Sequence, residues 1–457
     1  ALFAPEQPLE QAIAQAQEKE KLQRQIAQLK AKMKKEKVKK PNIIFVQLES
    51  HFDITQVKGV KFNKDPLPNF HKYMKGYSSG QLSMPSYGAG TANSEFELIT
   101  GMNLDHFGAA EYPYKTVLQN TTTESMATVL KNYGYKAHAI HDNSAAFYDR
   151  DLVFSQLGFD TFTTKESMNI KKWTENGWAK DQILTGCIMD SLDSTKGQDY
   201  VYCISVQGHG DYPTTMPEGF IPGITVSGFF DEEEQVQFEY YVNQIHEMDT
   251  FIGELTNMLS RRNEETVLVM YGDHLPTFNF TNDTMENGDI YQTEYFIWSN
   301  YGLEKKDIDL QAYQLSAAVF DRLGISEGYI MKFHQAKHND ADYLKKLKVL
   351  EYDILYGDKQ IYDGKVPYVA TDLKMGIDDI TIDEVYDYKD YVCISGKNFN
   401  DFSTVYINNK EQENAELISS TMIRVPKRSI KSGDEIAIAQ RGNDKIELGR
   451  TTYIVPN

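Results

Sequence analysis

Between Pro41 and about Pro367, short runs rich in Val, Ile and Tyr alternate with stretches of helical pattern. The runs include NIIFVQLE, YKAHAIH, YVYCISVQ and TVLVMYGDH; one helical stretch follows Ser94 and a long one extends from about Asp231 to Leu259. Continuous apolar runs bounded by polar turns suit strands covered on both faces, so this segment predicts an α/β domain with a mainly parallel sheet and helices on each side. Ligands in such sheets bind beyond the carboxyl ends of the strands. Glu49 follows IIFVQL, His209 follows YVYCISVQG, and Asp273 and His274 follow TVLVMYG, which makes these ends the first place to look for chemistry.

The flanks have other rhythms. After about Met375 come short strands separated by turns, DYVCISGKNF, TVYINN, MIRVP, EIAIAQR and TTYIVPN, which predict a small all-β sandwich over residues 372–457. Its ISGKNF segment resembles the I-x-G-x-x-F strand and turn of the immunoglobulin-like IPT/TIG modules, implying a non-catalytic spacer or a module that contacts glycan or protein. Residues 1–40 carry 10 Lys+Arg against 5 Asp+Glu, a balance of +5 that leaves −24 for the rest of a chain with net charge −19. Leu22, Ile26, Leu29 and Met33 recur at helical spacing and Pro41 closes the segment, so an amphipathic helix is expected. Two readings of it stand side by side: a solvated helix with its apolar seam on the next domain, or a basic juxtamembrane stalk facing anionic lipid. The chain opens with Ala and carries no signal peptide, which is read as a fragment of a longer, membrane-attached precursor.

With 457 residues, several folding units are expected, and 29 Tyr with 23 Phe exclude disorder for the bulk of the chain. Apolar runs fall well short of the roughly 20 residues that span a bilayer, so the chain as it stands reads as soluble. Cys187, Cys203 and Cys393 are far apart and odd in number, which encodes neither a disulfide framework nor a zinc ribbon. The acidic balance excludes a general nucleic-acid binder, whose affinity needs clustered Lys and Arg. An anionic ligand would instead need local help, such as a metal.

Glu49, Asp273 and His274 are oxygen and imidazole donors at the ends of predicted core strands, where chain-distant residues converge on one divalent ion. Gly272 is expected to turn the backbone sharply ahead of the Asp-His pair. In PSYGAGTANSEFELITG, small residues lead into Thr91, with Asn93 and Ser94 read as helix caps, so Thr91 is expected at or beside a helix N-terminus. Free N–H groups there favour an anion, and a neighbouring cation lowers the hydroxyl pKa enough to make it a nucleophile.

Taken together, QLES with Glu49, GAGTANSEF with Thr91, and YGDH with Asp273 and His274 resemble the lipoteichoic acid synthase family, the phosphoglycerol transferases of the alkaline phosphatase/sulfatase superfamily, across roughly residues 41–335. The resemblance implies that Glu49, Thr91, Asp273 and His274 hold one Mn²⁺ or Mg²⁺ and that Thr91 is the nucleophile. HAIHDNSAAFYDRDLVFSQLGFDTF also resembles the family's substrate segment: Arg150 matches the arginine that contacts glycerophosphate, and Tyr148 stands where many relatives have Trp. His209 matches the family's substrate histidine, a binder of the phosphate or glycerol oxygen or a proton donor to the leaving group. The implied reaction moves a phosphoglycerol-type head group from a phospholipid such as phosphatidylglycerol to a glycolipid or glycan acceptor at the outer face of the cell membrane.

No cysteine lies in the C/S-x-P-x-R segment that sulfatases mature to formylglycine, which disfavours sulfate-ester hydrolysis. His51, His138 and His141 fall in no motif for a second ion, so one metal is the simpler count. Three alternatives stay open: a phosphodiesterase using water at the same site, a transferase for another head group such as phosphoethanolamine, and a catalytically silent binding protein.

Overall fold

The computed structural model describes residues 40–457 apart from 229, 230, 427, 443 and 444, together with Gln17, Lys21 and Arg24. Apart from Gln17, Lys21, Arg24 and Lys40, the amphipathic helix expected over residues 1–40 lies outside the described residues.

Nine strands make the central sheet: β1 (Asn42–Leu48), β2 (Ser78–Ser83), β3 (Lys136–His141), β4 (Thr161–Thr164), β5 (Asp199–Ile204), β6 (Thr266–Gly272), β7 (Gln292–Ser299), β8 (Leu310–Gln311) and β9 (Lys374–Met375). Their spatial order is β8-β2-β7-β6-β1-β5-β3-β4-β9. Strand β7 runs against β2 and β6. The remaining pairings are parallel. Every residue of β1, β5 and β6 is buried. Successive side chains of a strand leave on opposite faces, and β1 shows the consequence. Ile43 and Phe45 join one core, while Ile44, Val46 and Leu48 join the other.

The first core is covered by α2 (Thr91–Thr100), α3 (Met126–Lys131), α4 (Arg150–Gln156), α7 (Ala312–Arg322), α8 (Tyr329–Lys337) and α9 (Tyr343–Leu355). The second is covered by α1 (Pro68–Gly76), α5 (Ile183–Asp193) and α6 (Glu232–Ser260). This is the helix-covered, mainly parallel sheet that the apolar runs predict, and it fits a sulfatase/alkaline-phosphatase-like α/β fold. Among the described residues no helix is long and apolar enough to cross a membrane.

The chain leaves this layer through edge strand β9, which pairs with β4. It then builds two four-stranded antiparallel sheets from β10 (Thr381–Tyr388), β11 (Tyr391–Lys397), β12 (Ser403–Ile407), β13 (Lys410–Glu411), β14 (Glu416–Ser419), β15 (Met422–Pro426), β16 (Glu435–Arg441) and β17 (Glu447–Ile454). The orders are β10-β11-β15-β14 and β13-β12-β16-β17. Val392, Ile394, Ile423 and Val425 of one sheet meet Val405, Ile407, Ile436 and Ile438 of the other in a single core.

Candidate active site

Strands β1 and β6 are parallel neighbours in register from Asn42↔Thr266 to Leu48↔Gly272, so both end at the same level. Glu49 follows one and Asp273 the other. The Asp273 N–H donates to the Leu48 carbonyl at 3.2 Å, and the Ser50 N–H donates to Asp273 Oδ1 at 2.8 Å. Gly272 does not make the sharp turn expected of it: it is the last residue of β6 and has no positive φ. Its role is close approach: a Cβ there would lie 1.7 Å from the His51 carbonyl oxygen.

Thr91 opens α2, as expected, but the capping differs from the sequence reading. Gly90, at φ 96°, is the N-cap, and Asn93 and Ser94 already lie in the first turn. There Ser94 Oγ donates to the Asp273 carbonyl at 2.7 Å, tying the helix start to the end of β6, and Asn93 Nδ2 donates to the Glu111 carbonyl at 3.2 Å.

The result is a buried cluster. Thr91 Oγ1 donates to Glu49 Oε2 at 3.2 Å and stands 3.4 Å from His274 Nε2. That nitrogen is 3.3 Å from Asp273 Oδ2 and 3.7 Å from Glu49 Oε1. His274 Nδ1 lies 2.9 Å from the Leu275 carbonyl. A carbonyl only accepts, so Nδ1 carries a proton, and it is the neutral form of the ring that offers its Nε2 lone pair on the side of the carboxylates. Burial and the Glu49 charge push the Asp273 carboxyl up to about 7. Burial opposes charge on His274, but Asp273 and then Glu49 raise its pKa overall.

The donor set fits a divalent cation. Ligand atoms of Glu49, Asp273 and His274 lie within 4.8 Å of one another, and buried Asp273 Oδ2 has no hydrogen-bond partner. Two carboxylates and an imidazole lone pair around an unpartnered oxygen suit a hard or borderline ion, with the Thr91 hydroxyl beside it.

Arg150 opens α4 and is 1% exposed. Its Nε and Nη2 donate to Glu95 Oε2 and Oε1 at 3.0 and 2.5 Å, and Nη1 donates to the Phe147 carbonyl at 3.2 Å. One N–H on each terminal nitrogen is left for a ligand. Glu95 lies one turn after Thr91 on α2, so this bidentate pair joins the arginine to the hydroxyl's own helix. Tyr148, at φ 61°, stacks on Tyr112 at 5.6 Å and 17°, with the guanidinium carbon 5.2 Å from its ring centre. Burial raises the Tyr148 hydroxyl, and the charges of Glu95 and Glu49 act in the same sense.

His209 lies on the loop after β5. Gly208 presses on the Glu49 backbone, where a Cβ would lie 2.2 Å from the carbonyl oxygen. His209 itself is half-buried: Nδ1 is 2.7 Å from the Gly210 carbonyl and its ring centre 4.4 Å from that of Trp178.

Of the three unassigned histidines, two are structural. His138 bonds Asp199 at 3.0 Å and Thr161 at 2.8 Å, and His51 is buried on Phe70 with no polar partner. The third, His141, ends β3 and was not singled out from sequence. Its Nδ1 meets the Ile204 carbonyl at 2.9 Å, and burial and the Arg150 charge hold its pKa well below the usual imidazole value. His209 adds to the same effect, so His141 shares its surroundings with both expected substrate residues. Its place nine residues before Arg150, at a strand end, is the signal that could have marked it. Glu95 is a second residue that sequence reasoning missed. Cys203 and Cys393 are buried and Cys187 is partly so; all three are unpaired.

The chain is 26% identical over 365 residues to a putative cyclic beta-1,2-glucan modification protein of Rhizobium meliloti, covering 70% of this chain and 55% of that protein. It is 24% identical over 354 residues to a lipoteichoic acid synthase of Staphylococcus saprophyticus, covering 72% and 52%. The chain thus spans about half the length of these curated relatives. Among solved structures, the phosphoglycerol transferase GacH of Streptococcus pyogenes, in complex with sn-glycerol-1-phosphate, aligns with TM-score 0.63 and 24% identity over 72% of this chain and 90% of that one. The lipoteichoic acid synthase LtaP of Listeria monocytogenes aligns with TM-score 0.52 and 21% identity over 63% and 73%; these two likenesses show a shared fold. The sulfatase family profile matches residues 41–325, the segment that contains both strand ends, the helix that opens on Thr91 and the Arg150 loop, and the chain belongs to that family.

Proposed function

We propose that the chain transfers a phosphoglycerol-type head group from a phospholipid such as phosphatidylglycerol to a glycolipid or glycan acceptor at the outer face of a membrane, through a phosphothreonine diester on Thr91. One observation carries the reading: a hydroxyl at a helix N-terminus lies 3.2 Å from Glu49 and 3.4 Å from His274, beside an unpartnered Asp273 oxygen. The relatives support it, since they include a putative cyclic beta-1,2-glucan modification protein, a lipoteichoic acid synthase and a phosphoglycerol transferase.

Glu49, Asp273 and His274, with the Thr91 oxygen, would hold one Mn²⁺ or Mg²⁺, whose charge lowers the hydroxyl pKa and offsets the phosphoryl oxygens. The chain's own groups do the rest. Thr91 Oγ, its proton passing to Glu49 Oε2, the acceptor of its hydrogen bond, attacks phosphorus as the bond to the lipid oxygen breaks and that oxygen takes a proton. The α2 N-terminus directs N–H groups at the phosphoryl oxygens. Arg150 directs its two remaining N–H groups at the same oxygens, held in place by Glu95. Tyr148 and Tyr112 wall the head group, and His209 Nε2 moves the proton to the leaving oxygen. In the second half the acceptor hydroxyl attacks the same phosphorus, gives up its proton and releases Thr91.

The test is intact-mass and peptide mapping after incubation with Mn²⁺ and phosphatidylglycerol, beside Thr91→Ala. A glycerophosphate adduct confined to Thr91 is expected, absent in the variant. Thr91-dependent release of diacylglycerol without transfer would make water the acceptor, and full turnover by Thr91→Ala would overturn the reading.

A further inference from the structure

The helix α9 buries Tyr343, Leu347, Glu351, Ile354 and Leu355 against the first core. Its other side is unusual. Leu344, Val349 and Tyr352 are 46, 70 and 63% exposed, and the C-cap Tyr356 is 50% exposed. At 3.6 residues per turn, Leu344, Lys348, Tyr352, Lys345 and Val349 fall on one arc of about 140°. No acidic side chain lies on that arc, although the whole chain carries −19. Lys345 and Lys348 are exposed, so two positive charges are set between aliphatic and aromatic side chains.

Apolar and tyrosine side chains interleaved with lysine suit the boundary between acyl chains and head groups, where lysine stems lie along apolar surface and the ammonium meets phosphate. The helix is also linked to the candidate site through packed aromatic rings. Tyr356 lies 6.5 Å from Phe107, and Phe107 lies 5.2 Å from Phe96 of α2, the helix that opens on Thr91. A few residues on from Phe107, Tyr112 stacks against Tyr148.

We propose that the exposed face of α9 docks the protein on an anionic phospholipid bilayer, bringing the candidate site to the lipid that bears its donor. The proposal deepens the reading of a lipid donor and rests on it for the consequence in turnover, but docking itself needs no turnover. Charge decides between occupants. The chain's own residues 1–40 carry +5, which repels the lysines, whereas a surface of acidic head groups attracts them.

The test uses the full chain and vesicles of phosphatidylcholine with and without phosphatidylglycerol, read by co-sedimentation. Binding is expected only with the anionic lipid and should weaken with added salt. Lys345→Glu with Lys348→Glu should weaken it by roughly thirtyfold or more. Val349→Glu with Tyr352→Glu should lower it comparably, and thermal unfolding should be unchanged in both variants because these side chains are exposed. Thr91→Ala should bind as the parent does, so failure of the catalytic reading leaves this result standing. A parent that ignores anionic vesicles, or binding unchanged in either pair of substitutions, overturns the proposal; the latter result would assign lipid contact to residues 1–40.

Discussion

Glu95 and Arg150 are both withdrawn from water, and each is held by the other in bidentate geometry. Burial raises the Glu95 carboxyl while Arg150 works to keep it ionised. Such a pair repays its desolvation only while both members are present, and removing one strands a buried charge. Glu95→Ala should therefore cost about 3–5 kcal/mol in urea denaturation. Replacing both residues, as in Glu95→Leu with Arg150→Met, should cost less than Glu95→Ala alone, and a double variant less stable than the single one would contradict this account. The pair also shows where sequence reading stops. Glu49, Thr91 and Asp273-His274 were legible because each sits at a strand end or a helix start that local pattern marks. Glu95 was not: it sits in an apolar helix, and its partner lies 55 positions away with no periodicity linking the two.

At the scale of elements, the loop after β1 that carries Glu49 is clamped to α1 by a histidine. His71 Nε2 lies 3.2 Å from Asp53 Oδ1 and its Nδ1 lies 2.9 Å from Asp65 Oδ1. Asp65 Oδ1 also accepts the Leu67 N–H at the start of the helix. The bonds to Asp53 and then Asp65 outweigh burial and raise His71 to about 9. A pKa raised on folding means stability fully present below pH 6.5 and lost as the pH rises through about 9. His71→Gln should then unfold at a lower temperature than the parent at pH 6, with the gap closing by pH 10. A gap that persists at pH 10 would give the histidine a packing role instead. The apolar strands β1, β5 and β6 were readable because both their faces are covered. The reversed sense of β7 was not, since residue period carries no strand direction. In the sandwich, β10, β13 and β14 were missed because they are short or mostly exposed and show little apolar alternation.

Across the whole molecule, the sandwich reaches the candidate site through one buried turn. Asn400 Nδ2 donates to the Glu166 carbonyl at 2.8 Å, and Gln440 Nε2 donates to that same oxygen and to Asn400 Oδ1. Glu166 lies just past β4, and its carboxylate accepts the Ala145 N–H at 3.3 Å on both oxygens. Beside it, the Lys165 N–H donates to the Asn143 carbonyl at 3.2 Å. Asn143 and Ala145 lead directly into Tyr148 and Arg150, so two sandwich amides support the turn that supports the segment proposed to hold substrate. Asn400→Leu with Gln440→Leu leaves the buried carbonyl without its donors, at a cost of about 1–3 kcal/mol. If that support positions the segment, the loss also appears as a KM for the lipid donor raised by about tenfold, with the fold and the yield of Thr91 adduct at saturating lipid retained. An unfolding temperature that falls while KM stays unchanged would leave the sandwich a stabilising neighbour with no part in placing Arg150.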